Sequence, residues 1–357
     1  MTNPKLTINQ LIINNKVCLR HLLLNNFTLL LIWSLLIINL TLPVIAATTF
    51  DPMSIGVGAR ALGMGKAYVA VAEQSDTIFT NPAGLGEIDM FEVTSMSGSL
   101  LEDVQYLVLG GVYPLGNRTA IGIGYVGAGV GGIEMRDSVG TFQKFSHFGS
   151  NVLFVSLGKK LNQKTSVGLN LKYFVQNGSE NQDANGAGIN LDLGILQKDL
   201  SFFSLGLVAQ NILSSGKIKY NTGVEEDLPQ TIKIGTQMFL LGQKFNSARL
   251  SPIELTVALD ADLSLSSSKP VLLHFGAELS PVSYLTLRAG IDQNSRLATT
   301  QNDFTAGISL KFVGVGFHYA YHNYSDSGQN TAHFISLTLD ERGWPYEGLP
   351  DTFIGSR

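Results

Sequence analysis

From Thr165 onward the chain can be read in steps of two. Val167, Leu169, Leu171, Tyr173 and Val175 share one parity, and Ser166, Gly168, Asn170 and Lys172 share the other, which only Phe174 breaks. The pattern returns as Leu285, Leu287, Ala289 and Ile291 against Thr286, Arg288, Gly290 and Asp292. It returns again as Val315, Phe317, Tyr319 and Tyr321 against Gly316, His318, Ala320 and His322. Successive side chains of a strand leave opposite faces of a sheet, so two is the strand period. Runs of this character follow residue 90 at 91–99, 105–113, 119–129, 150–161, 165–176, 187–198 and 201–212. Seven more follow at 230–239, 253–262, 271–279, 284–292, 303–311, 315–322 and 332–339. The chain is therefore all-β, and two architectures compete. A soluble sandwich turns its apolar faces inward; a membrane barrel turns them to lipid and lines its lumen with the polar ones.

A soluble sandwich explains the alternation equally well; the glycine-rich polar faces, the low charge and the secretion signal favour the barrel. From residue 165, Lys172, Asp192, Lys233, Glu254, Asp260, Asp262, Glu278, Arg288, Asp292 and Lys311 all avoid the apolar face of their strands. A basic side chain facing lipid at the bilayer midplane costs about 2–4 kcal/mol, so one-sided exclusion is expected of a membrane wall. The polar faces are also rich in glycine, and charged residues are 15% of the sequence, against about 25% in soluble domains. Pro114, Pro229, Pro252, Pro270 and Pro281 fall in gaps or at strand edges, where a missing N–H breaks no ladder. Gaps mostly alternate tight (162–164, 312–314) with long and polar (130–149, 213–229, 323–331), the barrel habit, although 100–104 and 240–252 break the rule. The prediction is a fourteen-stranded antiparallel transmembrane β-barrel over 91–339, with Lys172, Asp192, Lys233, Asp260, Glu278, Arg288, Asp292 and His318 facing the lumen.

Residues 1–47 read as a signal peptide. Lys5, Lys16 and Arg20 precede the apolar run Phe27 to Ile38, and Pro43 with Val44-Ile45-Ala46-Ala47 forms a cleavage region. Cleavage after Ala46 or Ala47 takes the formal charge from −4 to −7 and removes Cys18, the single cysteine. Without thiols the mature chain has neither a disulfide framework nor a thiolate metal site. Residues 48–90 lack period two, and Ala67, Ala70 and Val71 suggest a short helix of small residues.

The stretch Gly58-Ala59-Arg60-Ala61-Leu62-Gly63-Met64-Gly65-Lys66-Ala67-Tyr68-Val69-Ala70-Val71-Ala72 resembles the PorV/PorQ family of outer-membrane proteins, which belong with the FadL-like long-chain fatty-acid transporters. Asn81-Pro82-Ala83-Gly84-Leu85 matches the signature that ends their N-terminal segment. Weaker similarity lies at Gly206 to Ile212, at Leu228-Pro229 and at Leu287 to Gly290. The resemblance implies a fourteen-stranded barrel with residues 48–90 folded inside as a plug. Small residues such as Gly63, Gly65, Ala67 and Ala70 suit a plug that approaches the wall. Asn81 before Pro82 suits a turn that fixes it, and a gating or ligand role for Asn81 is the alternative. Residues 340–357, with Gly343, Pro345, Gly348 and Pro350, depart from the family pattern as an irregular periplasmic tail that carries Trp344 and Tyr346. Both mature termini are expected in the periplasm or the lumen of a barrel in the bacterial outer membrane.

Little else carries chemistry. Gly56-Val57-Gly58-Ala59-Arg60-Ala61 imitates a dinucleotide fingerprint, but no strand precedes it. His318 and His322 share a parity yet sit about 13 Å apart along one strand, at about 3.3 Å per residue. Glu225-Glu226-Asp227 reads as a solvated loop, with divalent-cation binding as the minor reading. No spacing pairs a nucleophile with a base, so the reading is not an enzyme, with no cofactor, no metal and no nucleic-acid footprint. Lipid is the expected surrounding partner. Two functions follow from the resemblance. The first is a PorV-like component of protein export or surface attachment, of type IX secretion kind, which binds export-system proteins. The alternative is a FadL-like passive channel for a small hydrophobic molecule. The channel reading requires an apolar patch in the lumen, and inward aromatics such as Phe174 and Phe334 look sparse.

Overall fold

The computed structural model describes residues 51–100, 104–178, 185–242, 253–265, 270–296, 299–324 and 331–343. The expected signal peptide, residues 48–50, and Trp344 and Tyr346 of the tail lie outside the described residues.

Alternation becomes a closed wall. The strands are β1 Glu92–Leu100, β2 Val104–Gly116, β3 Thr119–Arg136, β4 Phe142–Lys160, β5 Thr165–Gly178, β6 Gly186–Leu200 and β7 Phe203–Gln210. After the short β8 Lys217–Tyr220 and β9 Glu225–Asp227 come β10 Thr231–Leu241, β11 Glu254–Ser264, β12 Leu272–Val282, β13 Leu285–Arg296, β14 Thr299–Phe312, β15 Val315–Asn323 and β16 Thr331–Asp340. Every strand is antiparallel to its neighbours, β7 pairs directly with β10, and β1 pairs with β16 from Glu92↔Asp340 to Ser99↔His333. Fourteen strands thus form a closed ring; β8 and β9 are not members of it but form a hairpin attached to β6, whose Ile218 joins the buried interior cluster. Closure removes the open edges that a sheet would otherwise expose to lipid.

Each of the fourteen runs read from the sequence carries one wall strand. Two loops differ from expectation. The stretch 130–149 is largely strand: β3 and β4 stay paired as far as Arg136↔Phe142. Ile133 and Met135 alternate there with Glu134 and Arg136, but Gly131-Gly132 and Gly140 read as loop punctuation and neither face is buried. The stretch 213–229 holds the β8–β9 hairpin, with Lys217 opposite Asp227 and Lys219 opposite Glu225. Pro114 and Pro281 lie within β2 and β12 rather than beyond them, each at a register shift in the ladder.

The outer surface is apolar. Ile123, Leu153, Leu171, Ile195, Leu207, Phe275, Leu287, Ile308, Phe317 and Ile335 are all exposed, a band contributed by strands around the whole ring. Leu287 is 41% exposed while its neighbour Arg288 is 5% exposed, which fixes the two faces of β13. Among the described residues no helix is long and apolar enough to cross a membrane.

Residues 51–88 form a chain of short turns and helices that is largely buried. Helix α1 spans Ala59–Gly63 and α2 spans Thr77–Thr80, with 3-10 turns at Pro52–Ile55 and Pro82–Glu87. The helix expected around Ala67, Ala70 and Val71 is absent: helix ends at Gly63, and Gly65 (φ 60°), Lys66 (φ 66°) and Ala72 (φ 32°) turn the backbone left-handed. Left-handed residues cannot propagate a right-handed helix. The freed amides of Tyr68 and Val69 instead donate to the Asp260 carboxylate on β11, at 2.6 and 2.8 Å.

Candidate functional site

The inward face of the wall and the 51–88 segment meet along two chemically different halves. Charge gathers on one. The guanidinium of Arg60, in α1, donates from Nε and Nη2 to the two oxygens of Glu278 on β12, at 2.9 and 2.8 Å, and from Nη1 to Glu73 at 3.0 Å. Arg288, opposite Glu278 on β13, donates from Nε to the same carboxylate at 2.6 Å. Arg288 continues to Ser309, whose hydroxyl meets His318 Nδ1 at 2.6 Å, and His318 Nε2 meets Thr338 at 3.0 Å. Lys66 pairs with Asp292 at 2.8 Å, and Lys233 with Asp262 at 2.6 Å. Thr305 on β14 accepts from the amide of Gly65 at 3.0 Å and donates to the carbonyl of Gly63 at 3.2 Å. The segment is thereby tied to β11, β12, β13 and β14 by directional bonds.

Within the segment, Asp76 is buried, which pushes its carboxyl above the ordinary carboxylate value; a hydrogen bond from the Thr94 hydroxyl, at 2.7 Å, and the charge of Arg60 oppose that shift without cancelling it. Burial likewise raises the Tyr68 phenol, and the Arg60 charge acts against it. Asn81 spends its whole side chain on the protein. Its amide donates to the carbonyls of Val69 and Ile195, at 2.9 and 3.3 Å, and its oxygen accepts from Ala83 at 3.1 Å, capping the turn Pro82–Glu87. Pro82, Ala83, Gly84 and Leu85 in that turn are all buried.

The other half is mainly apolar, with a few directional bonds to the segment. Tyr106 donates to the carbonyls of Pro52 and Gly56 at 3.2 and 3.1 Å, Asn170 donates to that of Ile78 at 2.9 Å, and Lys160 pairs with Glu87. Met96 on β1, Tyr106 and Val108 on β2, Val126 on β3, Val152 and Phe154 on β4, Phe174 on β5 and Phe334 on β16 join one buried cluster with Val57, Leu62, Ile78, Phe79 and Leu85 of the segment. Phe79 meets Phe154 edge-to-face at 5.3 Å, and Tyr106 meets Phe334 the same way at 6.3 Å. These aromatics overturn the expectation of a lumen poor in them. The missed signal lay in strands with apolar residues on both parities, such as Val152-Leu153-Phe154-Val155, where lipid and lumen faces are both apolar and the period disappears.

Glycines of the polar faces acquire a role here. A Cβ at Gly168 would collide with the backbone of Pro82, and one at Gly206 with the carbonyl of Val69. The wall thus lacks side chains where the segment's backbone lies against it.

The eight residues expected to face the lumen divide as follows. Arg288, Glu278, Asp260 and Asp292 contact the segment or its partners as described, and His318 extends the Arg288 chain. Lys172 and Asp192 form a separate buried pair at 2.7 Å beside Asn211, away from that group, and the ammonium of Lys172 lies 5.4 Å from the Phe174 ring. Lys233 is only half-buried and reaches the group through Asp262. Among the additional residues, Arg60 and Lys66 could not be placed from strand parity because they lie in the segment. His274 shares the inward parity of Glu278 on β12 and was legible there, though its partners Asp262 and Asp292 are set by inter-strand register.

No family model matches the chain, and no curated protein matches it. Solved structures do. The Pseudomonas putida toluene transporter TodX superposes with a TM-score of 0.57 at 11% identity, covering 80% of this chain and 97% of that one. A FadL homologue from Pseudomonas aeruginosa gives 0.54 at 11% identity over 83% and 100%, and the Ralstonia pickettii toluene transporter TbuX gives 0.53 at 14% over 80% and 98%. At such identities the likeness is one of fold: this chain has the fourteen-stranded architecture of the FadL-like barrels. The exposed apolar band marks the outer surface of that barrel as one suited to face lipid.

Proposed function

We propose that the chain is a passive outer-membrane channel for small hydrophobic molecules, with residues 51–88 as a plug in its lumen. The observation that carries this reading is the apolar half of the inner surface, where Met96, Tyr106, Phe154, Phe174 and Phe334 face apolar residues of the segment. Apolar contact is non-directional and scales with area removed from water, so a hydrophobic guest replaces it at small cost. The directional ties to Glu278, Asp260 and Asp292 have no such substitute. The plug therefore stays anchored on its charged side while the apolar contacts around Phe154, Phe174 and Phe334, between the few hydrogen bonds of Tyr106 and Asn170, part to admit the guest. Structural neighbours named as toluene transporters support a guest of monoaromatic size. The export reading of the sequence gains no support from these neighbours, which are transporters of small compounds.

The test is uptake of radiolabelled toluene by cells that lack their own hydrocarbon channel and express this chain. Uptake above the empty-vector level, lost in a Phe174→Asn variant that still shows the heat-modifiable mobility of a folded barrel, is the expected result. Uptake equal to the empty vector, from chain that is folded in the outer membrane, overturns it.

A further inference from the structure

Asp292 on β13 and Asp303 on β14 are directly opposite each other in the ladder, and both are buried. Like charges in directly opposed positions destabilise a sheet, and here they are met by Lys66 and His274 at Asp292 and by an amide hydrogen bond from Asn294 at Asp303. The third member, His322 on β15, is fully buried, and neither ring nitrogen has a hydrogen-bond partner. Its Nε2 lies 3.6 Å from Asp292 Oδ2 and 3.5 Å from Asp303 Oδ2. Those separations are long for hydrogen bonds. They suit a shared ion, because two ligands about 2.0–2.2 Å from one zinc at a tetrahedral angle stand about 3.3–3.5 Å apart.

We infer that Asp292, Asp303 and His322 form a binding site for one divalent transition-metal ion of zinc type on the inner wall. One ligand atom from each of the three residues lies within 4.8 Å of the others, so a modest turn of the carboxylates closes them on an ion. The imidazole is held in place by Tyr324, stacked on it with centroids 4.1 Å apart and planes 11° from parallel. His274 stands behind the site, with Nδ1 2.8 Å from Asp292 Oδ1, where it steadies the carboxylate as outer partners of metal ligands do. One imidazole with two carboxylates suits zinc, cobalt or manganese, and it leaves a fourth coordination position for water.

Lys66 sets the terms of binding. Its ammonium lies 2.8 Å from Asp292 Oδ2, so the ion and the segment's lysine compete for one oxygen. The site inference is independent of the channel reading, since it concerns ligands on the wall alone.

Cobalt is the probe: protein refolded in detergent with chelator present, then freed of chelator, is titrated with Co2+ and followed by visible absorption, with Zn2+ added in competition. One equivalent of Co2+ should bind with the absorption of a low-coordinate site and be displaced by Zn2+. His322→Ala and Asp303→Asn should each weaken binding at least about tenfold, and Lys66→Met should tighten it. Heat-modifiable mobility establishes that each variant is a folded barrel. Absence of stoichiometric Co2+ or Zn2+ binding in both the unaltered chain and Lys66→Met overturns the inference. So does binding that His322→Ala and Asp303→Asn, both folded, leave unchanged.

Discussion

Arg60 and Glu278 lie 218 residues apart in sequence and meet through a two-point pair, with Nε to Oε2 at 2.9 Å and Nη2 to Oε1 at 2.8 Å. Glu278 also accepts from Arg288, so one carboxylate serves two buried guanidinium groups. Breaking a buried pair by removing one partner costs about 3–5 kcal/mol, because the other charge is left uncompensated. Glu278→Gln strips both arginines at once and should lower unfolding stability in detergent by that amount. Arg60→Gln leaves Glu278 paired with Arg288 and should cost less. Equal midpoints in urea for the two variants would contradict the shared-carboxylate arrangement.

Gly206→Leu should displace the segment while sparing the wall. The new side chain meets the Val69 carbonyl, whereas β7 keeps its ladders to β6 and β10. Faster cleavage within 51–88 by added protease, with heat-modifiable mobility retained, is the expected result. Gly111→Ala is the control, since the nearest atom to its Cβ would be the carbonyl oxygen of Glu92 at 4.0 Å. The control should cleave at the wild-type rate.

Leu287 and Arg288 separate the two faces chemically. In a background with Cys18 replaced, Leu287→Cys should react with a membrane-soluble maleimide. Arg288→Cys should not, because its position is turned inward. Leu287→Arg should impair insertion by about 2–4 kcal/mol near the midplane. Lipid-phase labelling of both cysteines alike would remove the face assignment.

Asp76 gives a pH signature. Its folded carboxyl is raised by burial, against the Thr94 hydrogen bond and the Arg60 charge. A raised carboxyl contributes stability that is fully present below the unfolded value and lost as pH rises through the folded one. Asp76→Asn removes that loss, so the variant should gain on the wild type as pH rises from 4 to 8. A stability difference that is flat with pH, or shrinks, would contradict the shift.

The wall was legible because a membrane strand has two different solvents on its two faces. Where one face meets lipid and the other a charged lumen, as at Leu287 and Arg288, period two is clean and the register of inward groups follows. Legibility failed where the two faces are alike. The apolar lumen half around Val152 to Val155 reads as a uniform run, while the short Ile133-to-Arg136 alternation of the β3–β4 extension is lost among Gly131, Gly132 and Gly140. The conformation of the segment was not legible. Ala67 to Val71 has helical composition, yet Asp260 takes the amides of Tyr68 and Val69, a partner that no local pattern announces. The Asp292, Asp303 and His322 group was hidden for a related reason, since its members come from three strands and meet only through register.

The pairing of β1 with β16 has a consequence for biogenesis. Every other ladder of the wall joins strands that follow one another along the chain, apart from the β8–β9 excursion, but this one joins the beginning to the end. Loop-closure entropy makes such a long-range pairing late. The segment immediately upstream of β1 is bonded to strands as distant as β14. Its partners lie on inward faces that closure encloses, so its placement is coupled to the docking of the last strand. A chain with residues 51–88 deleted is then predicted to falter at assembly, with the unclosed sheet accumulating in the periplasm, before any question of what passes through it arises.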